Sequence, residues 1–243
     1  MKTFADQAVI AIADVRKVLA GTKLDEKCRW KIGDLMSMLE GNLDKVAQHG
    51  IRADSIIKNV LLHSHQGSGE RRPADINAIV EESLNLAYHG ARAEKQGFNI
   101  TLEKPLDPAA GEVKLFPQEI TRVLLNLISN GFYATTKRKA EANGVHESTL
   151  SAKTRNLGDQ VKIRIRDNGI GIPPEVRDKI FSPFFTTKLA DEGTGLGLSL
   201  SYDIVVKQHA GSIEVDTQPG QYTEFRIVLP RSPAMMAKSG EAA

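Results

Sequence analysis

The chain has 243 residues, 41% apolar and 26% charged, which fits one large or two modest globular domains and excludes a disordered polymer. A net charge of +2 gives no field that would favour nucleic acid or a membrane surface, and the few aromatics argue further against base stacking. No apolar run reaches membrane-spanning length, Asp6 and Gln7 interrupt the N-terminal segment too early for a secretion signal, and the single Cys28 allows neither an internal disulfide nor a zinc cluster, so a reducing cytoplasm is the expected home.

Residues 1–68 read as helix with a coiled-coil rhythm. Met36, Leu39, Leu43, Val46, Gly50, Ala53, Ile57 and Val60 alternate spacings of three and four, the seam of a heptad repeat. Phe4, Ala8, Ala11, Val15 and Val18 repeat it more briefly, and Gly21 ends that first helix. Two such helices cannot bury both seams alone. A second copy of the chain would complete a four-helix bundle, and packing of the pair on the rest of the protein is the alternative.

"HQGSGERRP" then breaks the pattern, so 69–74 is expected to be a linker. Asp75 can cap a helix running to about Glu94. "FNITLEK" alternates as a strand does, and "FPQEITRVLLNLISNGFYATTKRKAE" reads as one long helix. "STLSAKTR" and "QVKIRIRD" flank "NLGD" as a hairpin, a helix follows at "TGLGLSLSYDIVVKQH", and "GSIEVDT" and "TEFRIVLP" surround the turn "QPGQ". Hairpin strands with long helices between them predict an α+β fold, a two-layer sandwich with helices on one sheet face, over 75–231. Residues 232–243 read as a disordered tail.

Three stretches carry candidate chemistry. In "LLNLISNGFYAT", Asn126 and Asn130 are one turn apart on an otherwise apolar helix, so both amides need partners; a hydrated Mg²⁺ with phosphate oxygens would supply them. In "RDNGIGIPPE", Asp167 ends an apolar strand where a carboxylate has no packing reason to sit. It either opens an Asp-Asn-Gly turn or accepts a hydrogen bond from an exocyclic amine such as that of adenine, with Gly169 and Gly171 letting the backbone approach a flat ligand. In "GTGLGLS", Gly193, Gly195 and Gly197 form either a tight turn into a helix or a cradle of N–H groups for phosphate. The P-loop and dinucleotide fingerprints both fail here.

Together these stretches resemble the ATP-binding domain shared by sensor histidine kinases, gyrase-like topoisomerases, Hsp90 chaperones and MutL-type repair proteins, a Bergerat-type fold. "LLNLISNGFYAT" is similar to the family's asparagine box, "DNGIGIPP" to its first glycine box, "FSPFFTTK" to its phenylalanine box and "GTGLGLSLSYDIV" to its second glycine box, all in order. The resemblance implies that Asn130 ligates Mg²⁺, that Asn126 neighbours it at the phosphates, and that Asp167 binds the adenine amine. It further implies that Gly169, Gly171 and Ile172 shape the base pocket, and that Phe184 through Gly193 form a lid with Thr187 and Lys188 near the phosphates. Thr194, Gly195, Leu196, Gly197 and Leu198 would cradle the triphosphate. Tyr133 stands where many kinases carry a basic residue; Lys137, one turn on, is the substitute.

Hydrolytic members of the family carry a glutamate where this chain has Asn126. An amide has no useful basicity, so the resemblance favours a histidine kinase that passes the γ-phosphate to a histidine and then to a response-regulator aspartate. The usual "HExxNP" acceptor box is missing. "FADQAVIAIADVR" resembles the last helix of a GAF-type sensory domain, and the segment from "LDEKCRW" to "HGIRADSIIKNVLLHSH" resembles only the second half of a dimerisation hairpin. His49 is the candidate acceptor, ahead of His63 and His65; a solvated role is the alternative for all three. His209 is expected to serve as a cation at a helix C-terminus. The reading is thus a histidine kinase core, homodimeric through its N-terminal helices, that uses ATP and Mg²⁺ and meets a receiver domain. The alternatives are an ATP-sensing dimer without its own acceptor and a hydrolytic ATPase.

Overall fold

The computed structural model describes residues 11–19, 21, 25–64, 70–188 and 193–232, and of these only the backbone at 47–49 and 51–64. The chain divides into two compact units, 1–67 with 186–194, and 68–185 with 195–243.

In the first unit, residues 11–19 are helical, and the Gly21 N–H donates to the Val18 carbonyl at 3.2 Å where that helix stops. Helix α1 spans Glu26–Ser64, opened by the Asp25 carboxylate, which accepts the Cys28 N–H at 2.7 Å. The Arg16 guanidinium pairs with Glu40 at 3.0 Å, tying the two helical segments together. Val15, Val18, Trp30, Leu35, Met38 and Val46 are exposed, whereas Ile12 is buried, so part of the described apolar surface of this unit is open to solvent. His49 and His63 belong to the α1 backbone, but their side chains, like all of His65, lie outside the described residues. No described helix is long and apolar enough to cross a membrane.

The second unit begins with β1, Arg72–Asp75, which pairs antiparallel with β3, Glu112–Leu115. Sequence reasoning gave 69–74 to a linker and saw no strand at "EVKL". Pro73 is compatible with a strand here because a two-stranded ribbon leaves one edge of each strand unpaired. Asp75 then caps α2, Ile76–Glu94, as expected, accepting the N–H groups of Asn77 and Ala78. This helix buries Ile76, Ile79, Val80, Ser83 and Leu84, a single stripe. Helix α3, Pro117–Glu141, starts with proline at a position whose N–H would have no helical partner, and buries Ile120, Val123, Leu124, Leu127, Ile128 and Phe132.

Five strands form the sheet under these helices, in the order β2–β4–β5–β7–β6: β2 Thr101–Glu103, β4 Thr149–Asn156, β5 Gln160–Asp167, β6 Ser212–Gln218 and β7 Tyr222–Pro230. All neighbours are antiparallel except β2 and β4. The expected hairpins at 149–167 and 212–230 are present; the strand in "FNITLEK" is only three residues long. In β5 Val161, Ile163 and Ile165 point inward while Lys162, Arg164 and Arg166 point to solvent, the period-two pattern that makes a two-layer sandwich. The short helix α4 covers Pro174–Arg177, and α5, Gly197–Tyr202, continues as a π turn over Asp203–Gln208.

That turn delivers His209 to a place the sequence did not indicate. It is 4% exposed, its Nδ1 lies 2.8 Å from the Ile204 carbonyl, and its Nε2 accepts the Phe116 N–H at 3.1 Å. These partners require a proton on Nδ1 and none on Nε2, and burial pushes the pKa below the usual imidazole value. His209 is therefore a neutral core residue, correcting its expected role as a helix-end cation. Arg71 stacks over the adjoining Phe116 ring at 5.2 Å and donates to the Gln208 carbonyl, fixing the start of β1 to the same corner.

Candidate nucleotide-binding site

Helix α3 presents Asn126 and Asn130 half-buried on one face. The Asn130 Nδ2 donates to Asn126 Oδ1 at 3.4 Å, the Asn126 Nδ2 donates to Ser201 Oγ at 3.0 Å, and Ser201 Oγ donates to the Gly197 carbonyl at 2.9 Å. A continuous hydrogen-bonded chain thus runs from the asparagine face of α3 to the glycine loop at the head of α5. Gly197 is bare of necessity: a Cβ there would fall on the Asn126 amide, 2.8 Å from its Cγ.

Beside Gly131 of the same helix stands Asp167, 5% exposed at the end of β5. Its Oδ1 accepts the Gly169 N–H at 2.8 Å. Burial pushes its pKa up to about 7, and the hydrogen bonds from Gly169 and Thr223 oppose that rise without cancelling it. A carboxyl whose oxygens stand in this dry wall offers acceptors for a hydrogen bond from a ligand amine. Gly131, next to Asn130, packs against this carboxyl, and Gly169 packs on the Ala134 backbone one turn further on.

The loop after Asp167 is held to the β6–β7 turn. The Gly220 N–H donates to Ile170 O at 2.7 Å, and the Ile172 N–H donates to Thr217 Oγ1 at 2.9 Å. Gly171, at φ +71°, lies so close to Gln218 and Pro219 that a side chain would clash with their backbone. Asn168 is spoken for structurally, its amide bridging the Thr149 N–H and the Glu147 carbonyl. Gly195, at φ +69°, meets the backbone of Phe184 and Phe185, and Phe184 itself is exposed at φ +65°. Leu196 caps α5 by accepting from Leu200 N–H and Ser199 Oγ, while Leu198 and Ile172 pack against the core.

Tyr133 is half-buried one turn beyond Asn130, and Lys137 is exposed. Thr187, Lys188, Gly193 and Thr194 belong to the other compact unit; within it the Lys188 N–H donates to Thr186 Oγ1 at 3.1 Å, and Gly193 lies beside both. Residues 189–192 of the expected lid lie outside the described residues. Among the described residues no three His, Cys, Asp or Glu side chains cluster to hold a metal, so the hard donors here are amide oxygens. Sequence reasoning missed Ser201, Gly131 and Thr217. Ser201 had a signal, since it lies one helical turn after Gly197 inside the same motif.

Residues 117–233 match the family described as histidine kinase-, DNA gyrase B- and HSP90-like ATPase. The chain carries an ATP-binding domain of the histidine kinase type. It is 30% identical over 192 residues to the sensor protein FixL of Bradyrhizobium diazoefficiens, covering 79% of this chain and 35% of that one. To the sensor histidine kinase ZraS of Escherichia coli it is 36% identical over 156 residues, covering 64% and 30%. The chain therefore spans about a third of the length of these relatives. Among solved structures it is similar to the nucleotide-free catalytic domain of histidine kinase ThkA, with 28% identity, a TM-score of 0.56, and coverage of 68% of this chain and 97% of that one. ThkA in complex with the response regulator protein TrrA shares the fold, at 22% identity and a TM-score of 0.57 over 95% of this chain and 60% of that one.

Proposed function

We propose that this chain is the catalytic core of a sensor histidine kinase, which binds Mg-ATP and supplies its γ-phosphate to a histidine, from which a response-regulator aspartate receives it. The observation that carries this reading is the chain Asn130–Asn126–Ser201–Gly197, which couples the amide pair to the glycine loop. In the proposed pose Asp167 takes the adenine amine at one end and this chain faces the phosphates at the other. Asn130 has its amide nitrogen turned to Asn126, and its oxygen is the donor a Mg²⁺ ion would use. That ion would neutralise phosphate charge, and the side chains would act by positioning. Thr187, Lys188, Gly193 and Thr194 are proposed to close over the nucleotide. Asn126 lacks the basicity to activate water, which counts against hydrolysis.

The exposed apolar residues of the helical unit support a homodimer through that surface. ThkA, solved with TrrA, supports a receiver-domain partner. A second reading has its own support: the chain holds no "HExxNP" box, so an ATP-sensing dimer that phosphorylates nothing within itself is the alternative. The test is incubation with γ-labelled Mg-ATP, alone and with a separate protein carrying an intact acceptor helix, together with the His49→Ala variant. Acid-labile, alkali-stable label on the chain that vanishes in His49→Ala makes His49 the acceptor. Label only on the added protein makes the chain a kinase acting in trans. Bound ATP with no label anywhere leaves the sensing dimer, and steady release of free phosphate would mean a hydrolase.

A further inference from the structure

The solvent face of the sheet, opposite α2 and α3, carries a charge pattern that the proposed nucleotide site does not use. Lys153, Arg155, Lys162, Arg164 and Arg226 line a concavity of about 630 Å³ walled by the 105–107 segment. Two carboxylates, Asp107 and Glu214, line it as well, and Glu224 and Asp216 pair with its arginines, so the five bases still outnumber the four acids around it. Asp107 is already engaged, its oxygens accepting the Ala109 and Asn156 N–H groups.

The strand register sets like charges directly against each other. Lys153 faces Arg164, Arg155 faces Lys162, and Arg164 faces Arg226. Such pairs are destabilising in a sheet, and three on one face is a cost with no packing gain. Glu224 relieves part of it. Only 1% exposed, it accepts from Arg164 and from Arg226 Nε at 2.7 Å, with Arg166 at 3.7 Å; Arg226 also reaches Asp216 at 2.6 Å. These bonds fix two guanidinium groups in place. Lys153 and Lys162 make no ion pair or hydrogen bond among the described residues, and Arg164 Nε is a buried donor with no acceptor.

We infer that this concavity is a second ligand site, for a compact multivalent oxyanion of the pyrophosphate class. Its volume lies in the small-molecule range of roughly 300–1,000 Å³. Lys153 and Lys162 supply mobile point charges for phosphate oxygens, and the two clamped guanidiniums keep N–H donors beyond those that Glu224 and Asp216 take. The site is separate from the nucleotide pocket, since its residues alternate along β4, β5 and β7 with those facing the helices.

The test is calorimetric titration of the chain with inorganic pyrophosphate, in the wild type and the Lys153→Ala/Lys162→Ala double variant, at two salt concentrations. We expect binding that weakens with salt and falls by about tenfold or more in the double variant, whose thermal midpoint rises because like-charge pairs are removed. ADP affinity should not change. No heat in the wild type at millimolar pyrophosphate overturns the inference. Undiminished binding in the double variant also overturns it, placing the anion elsewhere, such as the glycine loop. Binding of an acidic peptide but not of pyrophosphate overturns it as well, in favour of a protein-docking face.

Discussion

Gly131 stands against Asp167 across the junction of α3 and β5: a Cβ on that glycine would lie 3.3 Å from the Asp167 Cβ and 3.6 Å from its Oδ2. The same Cβ would press on Leu150 Cδ1 at 2.6 Å. Leu150 ends in a flexible methyl and can yield, whereas Asp167 is held by the Gly169 N–H and has little room. Gly131→Ala gains roughly 1 kcal/mol of helix propensity and loses about 1–3 to overpacking. The expected outcome is a small change in melting midpoint with a clear loss of nucleotide affinity, measured by calorimetry with ADP. A variant that binds ADP as the wild type does would mean the carboxyl is not part of the pocket.

Asp167 also predicts a pH dependence. Its pKa is about 7 in the folded chain against about 3.8 unfolded, so the folded state holds the extra proton between those values. Stability from this group is full below pH ~4 and is lost as pH rises toward 7, by about 4 kcal/mol at ~1.4 per pKa unit. Asp167→Asn keeps the acceptor for Gly169 but cannot ionise. Denaturant titrations at several pH values should show the variant more stable than wild type above pH 7 and converging with it near pH 4. The same variant should lose adenine nucleotide binding, because the carboxylate that would accept from the exocyclic amine is gone. For the wild type, affinity should weaken as pH falls below about 7, with proton release on binding detected in buffers of different ionisation enthalpy.

Much of this site was open to reading from residue order alone, and the reasons are local. Asn126 and Asn130 stand out because amides on an apolar helix face need partners, and Asp167 because a carboxylate ends an apolar strand. The hairpins at 149–167 and 212–230 announce themselves by alternation around Gly158 and Gly220, both at positive φ. The ribbon of β1 and β3 does not. Four residues each, one containing Pro73, carry too little alternation to rise above the turn signals beside them. His209 was misread because its burial depends on the π turn over Asp203–Gln208 and on Phe116, 93 residues away. The basic sheet face was hidden for a similar reason. Lys153 and Arg164 become neighbours only through strand register.

Ser201 joins the two halves of the site. Removing its hydroxyl leaves the Asn126 Nδ2 without that acceptor and the Gly197 carbonyl without that donor. Ser201→Ala should cost about 1–3 kcal/mol in unfolding free energy. Since Ser201 is 2% exposed, it has no direct access to a nucleotide, and any effect on binding must pass through Asn126 and the glycine loop. ADP affinity should fall by about tenfold, and Ser201→Thr, which keeps the hydroxyl, should recover part of it. Equal losses in the alanine and threonine variants would point to packing instead.

Arg231 closes the sandwich at its far end. Its Nε donates to the Gly158 carbonyl at 2.9 Å, its Nη1 to Glu112 O at 2.8 Å, and its Nη2 to Ala110 O at 2.5 Å and Asn156 Oδ1 at 3.0 Å. One guanidinium thus ties together the β4–β5 turn, the start of β3 and the end of β7, elements up to 121 residues apart in the chain. These carbonyls lie near the surface, so water can replace part of what is lost. Arg231→Ala is therefore expected to cost about 2–4 kcal/mol, summed over several bonds of ~1 each. Arg231→Lys should recover little, because an ammonium cannot span a planar fork of acceptors. Chemical denaturation of both variants measures this. Nucleotide affinity should be unchanged in each under conditions where they remain folded, since nothing in this clamp touches Asn126, Asn130 or Asp167.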